Sequence, residues 1–146
     1  MQTDLESIPN YERKVPSPEN LESICSIILG LDPNIRFAGI INDKGKLLTG
    51  SKKKGIRTLT TQKDQEMLLM ETALGIRMRK EHDFNLGSVS FTLSYGDKIV
   101  SMNFPLGDEI LCVSAEKEIN LMTVPFLILE FLKKNLDSKE NDDKKL

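Results

Sequence analysis

Histidine occurs once in this 146-residue sequence, cysteine twice, and no Cys-x-x-Cys pair is present. A metal site of clustered soft ligands therefore has no raw material, and the distant Cys25 and Cys112 read as buried free thiols of a reducing compartment. An excess of one charge is also lacking. Twenty basic against 22 acidic side chains leave a net charge of -2, which removes any general pull towards nucleic acid and any strongly acidic, disordered character. No apolar run approaches the roughly 20 residues that cross a bilayer. Asp4 and Glu6 stand where a secretory signal would have basic and then apolar residues. The expectation is a cytoplasmic protein with no membrane span. Its length suits one domain with a core of its own.

The longest patterned stretch is Thr61 to Asp83. Thr61 and Asp64 suit the start of a helix, where a side-chain oxygen can accept a free amide and negative charge meets the positive dipole end. Arg77, Arg79, Lys80 and His82 suit its end. Met67, Met70, Leu74 and Met78 form a stripe that would cover a sheet, while Leu69, Ala73 and Ile76 extend the apolar surface round the cylinder. A helix so broadly apolar calls for a second partner.

Residues 1–16 carry prolines and mixed charge without a period and read as a flexible arm. Ser17 and Pro18 then read as cap and first residue of a helix bearing Leu21, Ile24, Ile28 and Leu31. Phe37 to Ile41 suit a strand covered on both faces, and Asn42-Asp43-Lys44-Gly45 suits a turn into Leu47-Leu48-Thr49. That strand is expected to end at a basic loop running from Gly50 to Gly55. After the long helix, Val89, Phe91, Leu93 and Tyr95 alternate with polar residues, as in a half-buried edge strand. Val100, Met102 and Phe104 alternate again, and Ile110 to Val113 is apolar on both faces, as in a central strand. A last helix, starting near Thr123 because Pro125 is tolerated only in a first turn, would bury Val124, Ile128, Phe131 and Leu132 and end near Leu136. The domain is expected over 17–136, with a charged, disordered tail over 137–146.

This order, α-β-β-α-β-β-β-α, resembles the roadblock/LC7 domain. FAGIINDKGKLL looks like that family's first hairpin and IVSMNFPLGDEILCVSA like its later strand-turn-strand. IRFAGIINDKGKLL and QEMLLMETALGIRMR also resemble stretches of short archaeal proteins. The resemblance implies an α+β, profilin-like fold with a five-stranded antiparallel sheet, two helices on one face and the long helix on the other. It also implies a homodimer formed through the long helix and the following strand, with Met67, Met70, Leu74, Met78, Val89, Phe91 and Leu93 as its interface. Members often act as scaffolds or regulators of small GTPases. A non-enzymatic scaffold or regulatory module without cofactor is what the resemblance implies, with a small-molecule sensor as the alternative, its pocket lined by residues such as Phe37, Met67, Met70 and Phe104.

Local chemistry adds little that points to catalysis. Lys44, Lys46, Lys52, Lys53, Lys54 and Arg57 form a basic run free of acids. Lys52, Lys53, Lys54 and Arg57 are thus candidates for an anionic or acidic protein partner, set against a merely solvated loop. Gly45, Gly50 and Gly55 lack the Gly-Lys-Ser/Thr ending of a phosphate-binding loop. The three methionines of the stripe suit packing better than soft-metal binding. His82 suits a helix end, which leaves Cys112 no nearby base to activate it.

Overall fold

The computed structural model describes residues 20–137. In chain order the elements are α1 (Leu21–Leu29), β1 (Ile35–Ile41), β2 (Leu47–Lys52), α2 (Gln62–Lys80), α3 (Asp83–Leu86), β3 (Thr92–Tyr95), β4 (Ile99–Leu106), β5 (Glu109–Glu116) and α4 (Val124–Leu132), with a π-helical turn over Lys133–Asp137. The strands form one antiparallel sheet in the order β2-β1-β5-β4-β3, so β5 is central and β2 and β3 are the edges. The expected arm over 1–16, Ser17, Pro18 and all but the first residue of the 137–146 tail lie outside the described residues.

One face of the sheet carries the larger core. Ile24, Cys25 and Ile28 of α1 and Val124, Ile128, Phe131 and Leu132 of α4 pack on Ala38, Ile40, Val100, Met102, Phe104, Leu111 and Val113. Alternation decides which strand residues these are: β4 buries Val100, Met102 and Phe104 and turns Ser101 and Asn103 to the opposite face. The cap of α1 is Asn20, whose side-chain oxygen accepts from the Ser23 amide at 2.9 Å. Pro125 lies in the first turn of α4, as its missing N–H requires.

The second face carries α2, which begins as its sequence suggests, with the Thr61 hydroxyl accepting from the Asp64 amide at 3.1 Å. Its inward side differs from expectation. Leu69, Ala73 and Ile76 pack on Ile41, Ile110 and Cys112, whereas Met67, Met70, Leu74 and Met78 point away and stay 51, 58, 50 and 61% exposed. The hairpin between β1 and β2 explains the choice. Asn42 turns the chain with its side-chain oxygen accepting from the amides of Lys44 (3.0 Å) and Lys46 (2.9 Å), and Gly45 takes φ +85°. A Cβ at Gly45 would sit 2.6 Å from Met70 Cα and 2.7 Å from the Leu69 carbonyl oxygen. Turn and helix backbones thus touch, and only small or slender side chains fit beneath that contact.

Two boundaries and one added helix also differ from the sequence reading. β2 continues through Gly50 and Ser51 to Lys52, because the Gly39–Gly50 pair is covered by the Phe37 ring and the ladder need not stop there. The strand expected over 89–95 pairs only from Thr92, and its four side chains are exposed. Phe91 instead turns into the two-helix core, with its ring 5.4 Å from that of Phe104 and 5.5 Å from that of Phe126. The short α3 has no counterpart in the sequence reading. Arg79 holds it by donating to Asp83 (3.0 Å) and to the Gly87 carbonyl (3.2 Å).

The Gly45 contact can be measured. Gly45→Ala should lower unfolding free energy by more than the roughly 1–3 kcal/mol that a strained φ costs, because backbone atoms must also move. Gly55→Ala is the control: φ is +77°, yet nothing lies within 4 Å of its added Cβ. Equal losses for the two variants in urea unfolding would show that turn and helix do not meet tightly.

Candidate functional site

The face beneath α2 is built in rows. Across it, Lys52, Phe37, Ser114, Ser101 and Ser94 stand opposite one another on successive strands, and Gly50, Gly39, Cys112, Asn103 and Thr92 form the next row. A third row, Leu47, Ile41, Ile110 and Pro105, is apolar. α2 packs on the apolar row and on Cys112. Beyond Cys112, the row of Phe37, Ser114 and Ser101 lies outside this packed cluster. The result is a cleft of about 310 Å³ between sheet, helix and the 56–60 segment, with Phe37, Ser101, Asn103, Ser114, Leu68 and Leu69 among its walls.

Arg36 holds the segment that roofs this cleft. It is the extra residue at the irregularity of β1 between Ile35 and Phe37. Its guanidinium donates to Glu116 Oε2 at 2.9 Å and to the Arg57 carbonyl at 2.6 Å, joining β1, β5 and the crossing loop. The arginine side chain is 13% exposed and the glutamate 38%, so the pair is only partly screened by water. Nothing in the sequence pattern marks Arg36, since a single cation beside an apolar run reads as a strand end.

The basic run does not act as one patch. Lys53 Nζ donates to the carbonyls of Pro33 (2.6 Å) and Asp32 (3.2 Å), fastening the end of β2 to the loop after α1. Lys52 and Arg57 line the cleft, and Lys54 is exposed on the turn beyond β2. Lys44 and Lys46 flank the hairpin turn against α2. Of the residues expected to line a sensor pocket, Phe37 lines this cleft, and Met70 lines instead the neighbouring hollow between the hairpin turn and α2. Phe104 is fully buried in the core on the other face, and Met67 and Met70 are more than half exposed, so none of the three enters this cleft.

Both thiols are buried, on opposite faces of the sheet: Cys25 in the two-helix core and Cys112 under α2. Burial, with a smaller contribution from the charge of Glu22, raises Cys25 from 9.0 to about 11. Burial, with a smaller contribution from Cys25 across the sheet, raises Cys112 to about 12. No histidine or carboxylate lines the cleft that reaches Cys112, so neither is there to take its proton. His82 caps the four-residue α3 without a side-chain bond to it. Among the described residues no three His, Cys, Asp or Glu side chains gather as metal ligands, and no helix is long and apolar enough to cross a membrane.

The unequal duties of the lysines give one measurable outcome. Lys53→Ala should cost about 1 kcal/mol through its lost carbonyl bonds, while Lys54→Ala should stay within about 0.5 kcal/mol. Urea unfolding that ranks them in reverse would contradict the Lys53 tether. The thiols give a second. Their folded pKa values are raised, so the stability they contribute is whole below about pH 9 and declines as the pH climbs towards 11–12, where only the unfolded chain ionises readily. Both thiols should resist a disulfide reagent at pH 8 until denaturant is added, and Cys112→Ser should flatten part of the alkaline decline. Stoichiometric labelling of native protein within seconds would contradict this.

The same fold recurs in solved structures. The chain is similar to a roadblock/LC7 domain from Streptomyces avermitilis at 10% identity and TM-score 0.59, over 81% of this chain and 98% of that one. It is similar to MglB of Myxococcus xanthus at 17% identity and TM-score 0.61, over 81% and 95%. An MglB with tetrameric arrangement gives 16% identity and TM-score 0.62, over 88% and 90%. A Schizosaccharomyces pombe profilin is also similar, at TM-score 0.53. No curated protein sequence matches. Identities this low speak for the fold, which is that of roadblock/LC7 and profilin-like proteins. Residues 17–142 match the profile described as "Family of unknown function (DUF6659)", and the chain belongs to that family.

Proposed function

We propose that this protein is a non-enzymatic, homodimeric scaffold or regulatory module of the cytoplasm. The observation that carries the reading is the half-exposed stripe of Met67, Met70, Leu74 and Met78 on α2, in a chain whose β3 is an unpaired sheet edge. A twofold partner would cover both at once, stripe against stripe and β3 against β3. Val89, Phe91 and Leu93 enter this interface unequally. Phe91 is turned into the two-helix core, and Leu93 stands opposite Met102 on that same face, so β3 would contribute mainly its free backbone groups. Phe84, 98% exposed on α3, lies just beyond the stripe in sequence and suits the rim.

Solved relatives of this fold include a gliding protein MglB from Thermus thermophilus and an MglB with tetrameric arrangement, which supports assembly and signalling as the setting. A small GTPase or another acidic protein is the partner class this reading favours. Lys52, Lys54 and Arg57 would offer such a partner their charge, with Lys53 holding the loop in place.

In light scattering at micromolar concentration the protein should have twice the monomer mass. Met70→Glu or Leu74→Glu should weaken association by roughly 2 kcal/mol or more while leaving the fold intact, since both side chains point to solvent in the protomer. A monomeric mass for the unaltered protein under those conditions would remove the dimer reading.

A further inference from the structure

The cleft beside α2 has a composition that dimerisation leaves unexplained. Its floor is Ser101, Ser114 and Asn103, each part-buried, and among the described residues none of these side chains has a hydrogen-bond partner. Such part-exposed hydroxyl and amide groups are open to water or to a guest. Its charged lining is wholly cationic: Arg36, Lys52 and Arg57, with no aspartate or glutamate. Arg36 is committed to Glu116 and to the Arg57 carbonyl, which leaves Lys52 and the Arg57 guanidinium to act on a guest. Between floor and cations lie Phe37, Ile56 and Leu68, an apolar wall.

We propose that this cleft binds a small organic anion, a carboxylate or phosphate ester carried on a compact apolar body. The volume of about 310 Å³ is at the small end of ligand sites and suits a body of about one ring. The body would lie along Phe37, whose ring covers Gly39 and Gly50. Its charged group would face Lys52 and Arg57, and its remaining polar atoms would meet Ser101, Ser114 and Asn103. Because the 56–60 segment forms the roof and is tied to the sheet through Arg36, occupancy would stiffen that segment beside α2. This inference does not depend on the dimer, since every wall belongs to one protomer.

The test uses the full-length chain, isotope-labelled, titrated with benzoate and with phenyl phosphate, and with neutral benzamide as the charge control. At least one anion should give saturable amide shifts at 56–60, 101–103 and 112–114, with benzamide roughly tenfold weaker or silent. Lys52→Gln with Arg57→Gln should weaken binding by about tenfold without altering the rest of the spectrum. Ser114→Val should reduce it by removing a floor hydroxyl. Should Ser114→Val fail to fold, the surface pair still decides the matter. No saturable shift up to about 10 mM of either anion, equal binding of benzamide, or shifts confined to the 67–78 stripe would each overturn the proposal.

Discussion

The contact of Gly45 with the backbone of α2 at Leu69 and Met70 governs how the second face of this molecule is built. It brings the hairpin turn up to the helix at a distance no side chain permits. α2 is therefore held over the apolar row of Ile41 and Ile110, towards the β1–β2 turn. At its far end Lys80 donates to the Gly107 carbonyl at 2.7 Å, so the β4–β5 turn steadies the other end of the same rod. Two consequences come from one placement: the methionine stripe is turned to solvent, and the serine row is left uncovered.

Much of this architecture was legible in the sequence because alternation and capping are local rules. The three-strand run from Thr92 to Glu116, the Asn42–Gly45 turn, the Thr61 cap and the Pro125 helix start are all stated by a few adjacent residues. The inward side of α2 was not. Met67, Met70, Leu74 and Met78 make as good a stripe as Leu69, Ala73 and Ile76, and periodicity cannot rank two apolar sides of one helix. The ranking comes from a residue far from α2 along the chain, the glycine of the hairpin turn, which needs a near-naked helix surface. Leu69, Ala73 and Ile76 then fill the space over the sheet, and flexible methionine on the outer side suits an adaptable surface.

The candidate site was legible only in part, for a related reason. The basic run was visible as composition, but its division of labour depends on where Asp32, Pro33 and Glu116 lie in space. Lys53 is tied to carbonyls, Arg36 is paired, and Lys52 and Arg57 border a cleft, although all four read alike along the chain. The floor of the cleft comes from strand register. Phe37, Ser114 and Ser101 are ordinary residues singly, and register alone places them in one row.

The two faces of the sheet are unequally held. On one, two helices and the strand side chains beneath them interlock around Phe104 and Ile128; on the other, α2 seats only Leu69, Ala73 and Ile76. Stability in such a protein is not shared evenly, and the unit with least buried apolar surface opens first. α2 and its flanking segments should therefore behave as a separately melting layer whose amides exchange with solvent well before those of β5. Any molecule that binds only the docked helix, a second copy included, then raises the protection of that layer by a factor that grows with its free concentration relative to its dissociation constant. Hydrogen exchange along α2 becomes a gauge of association.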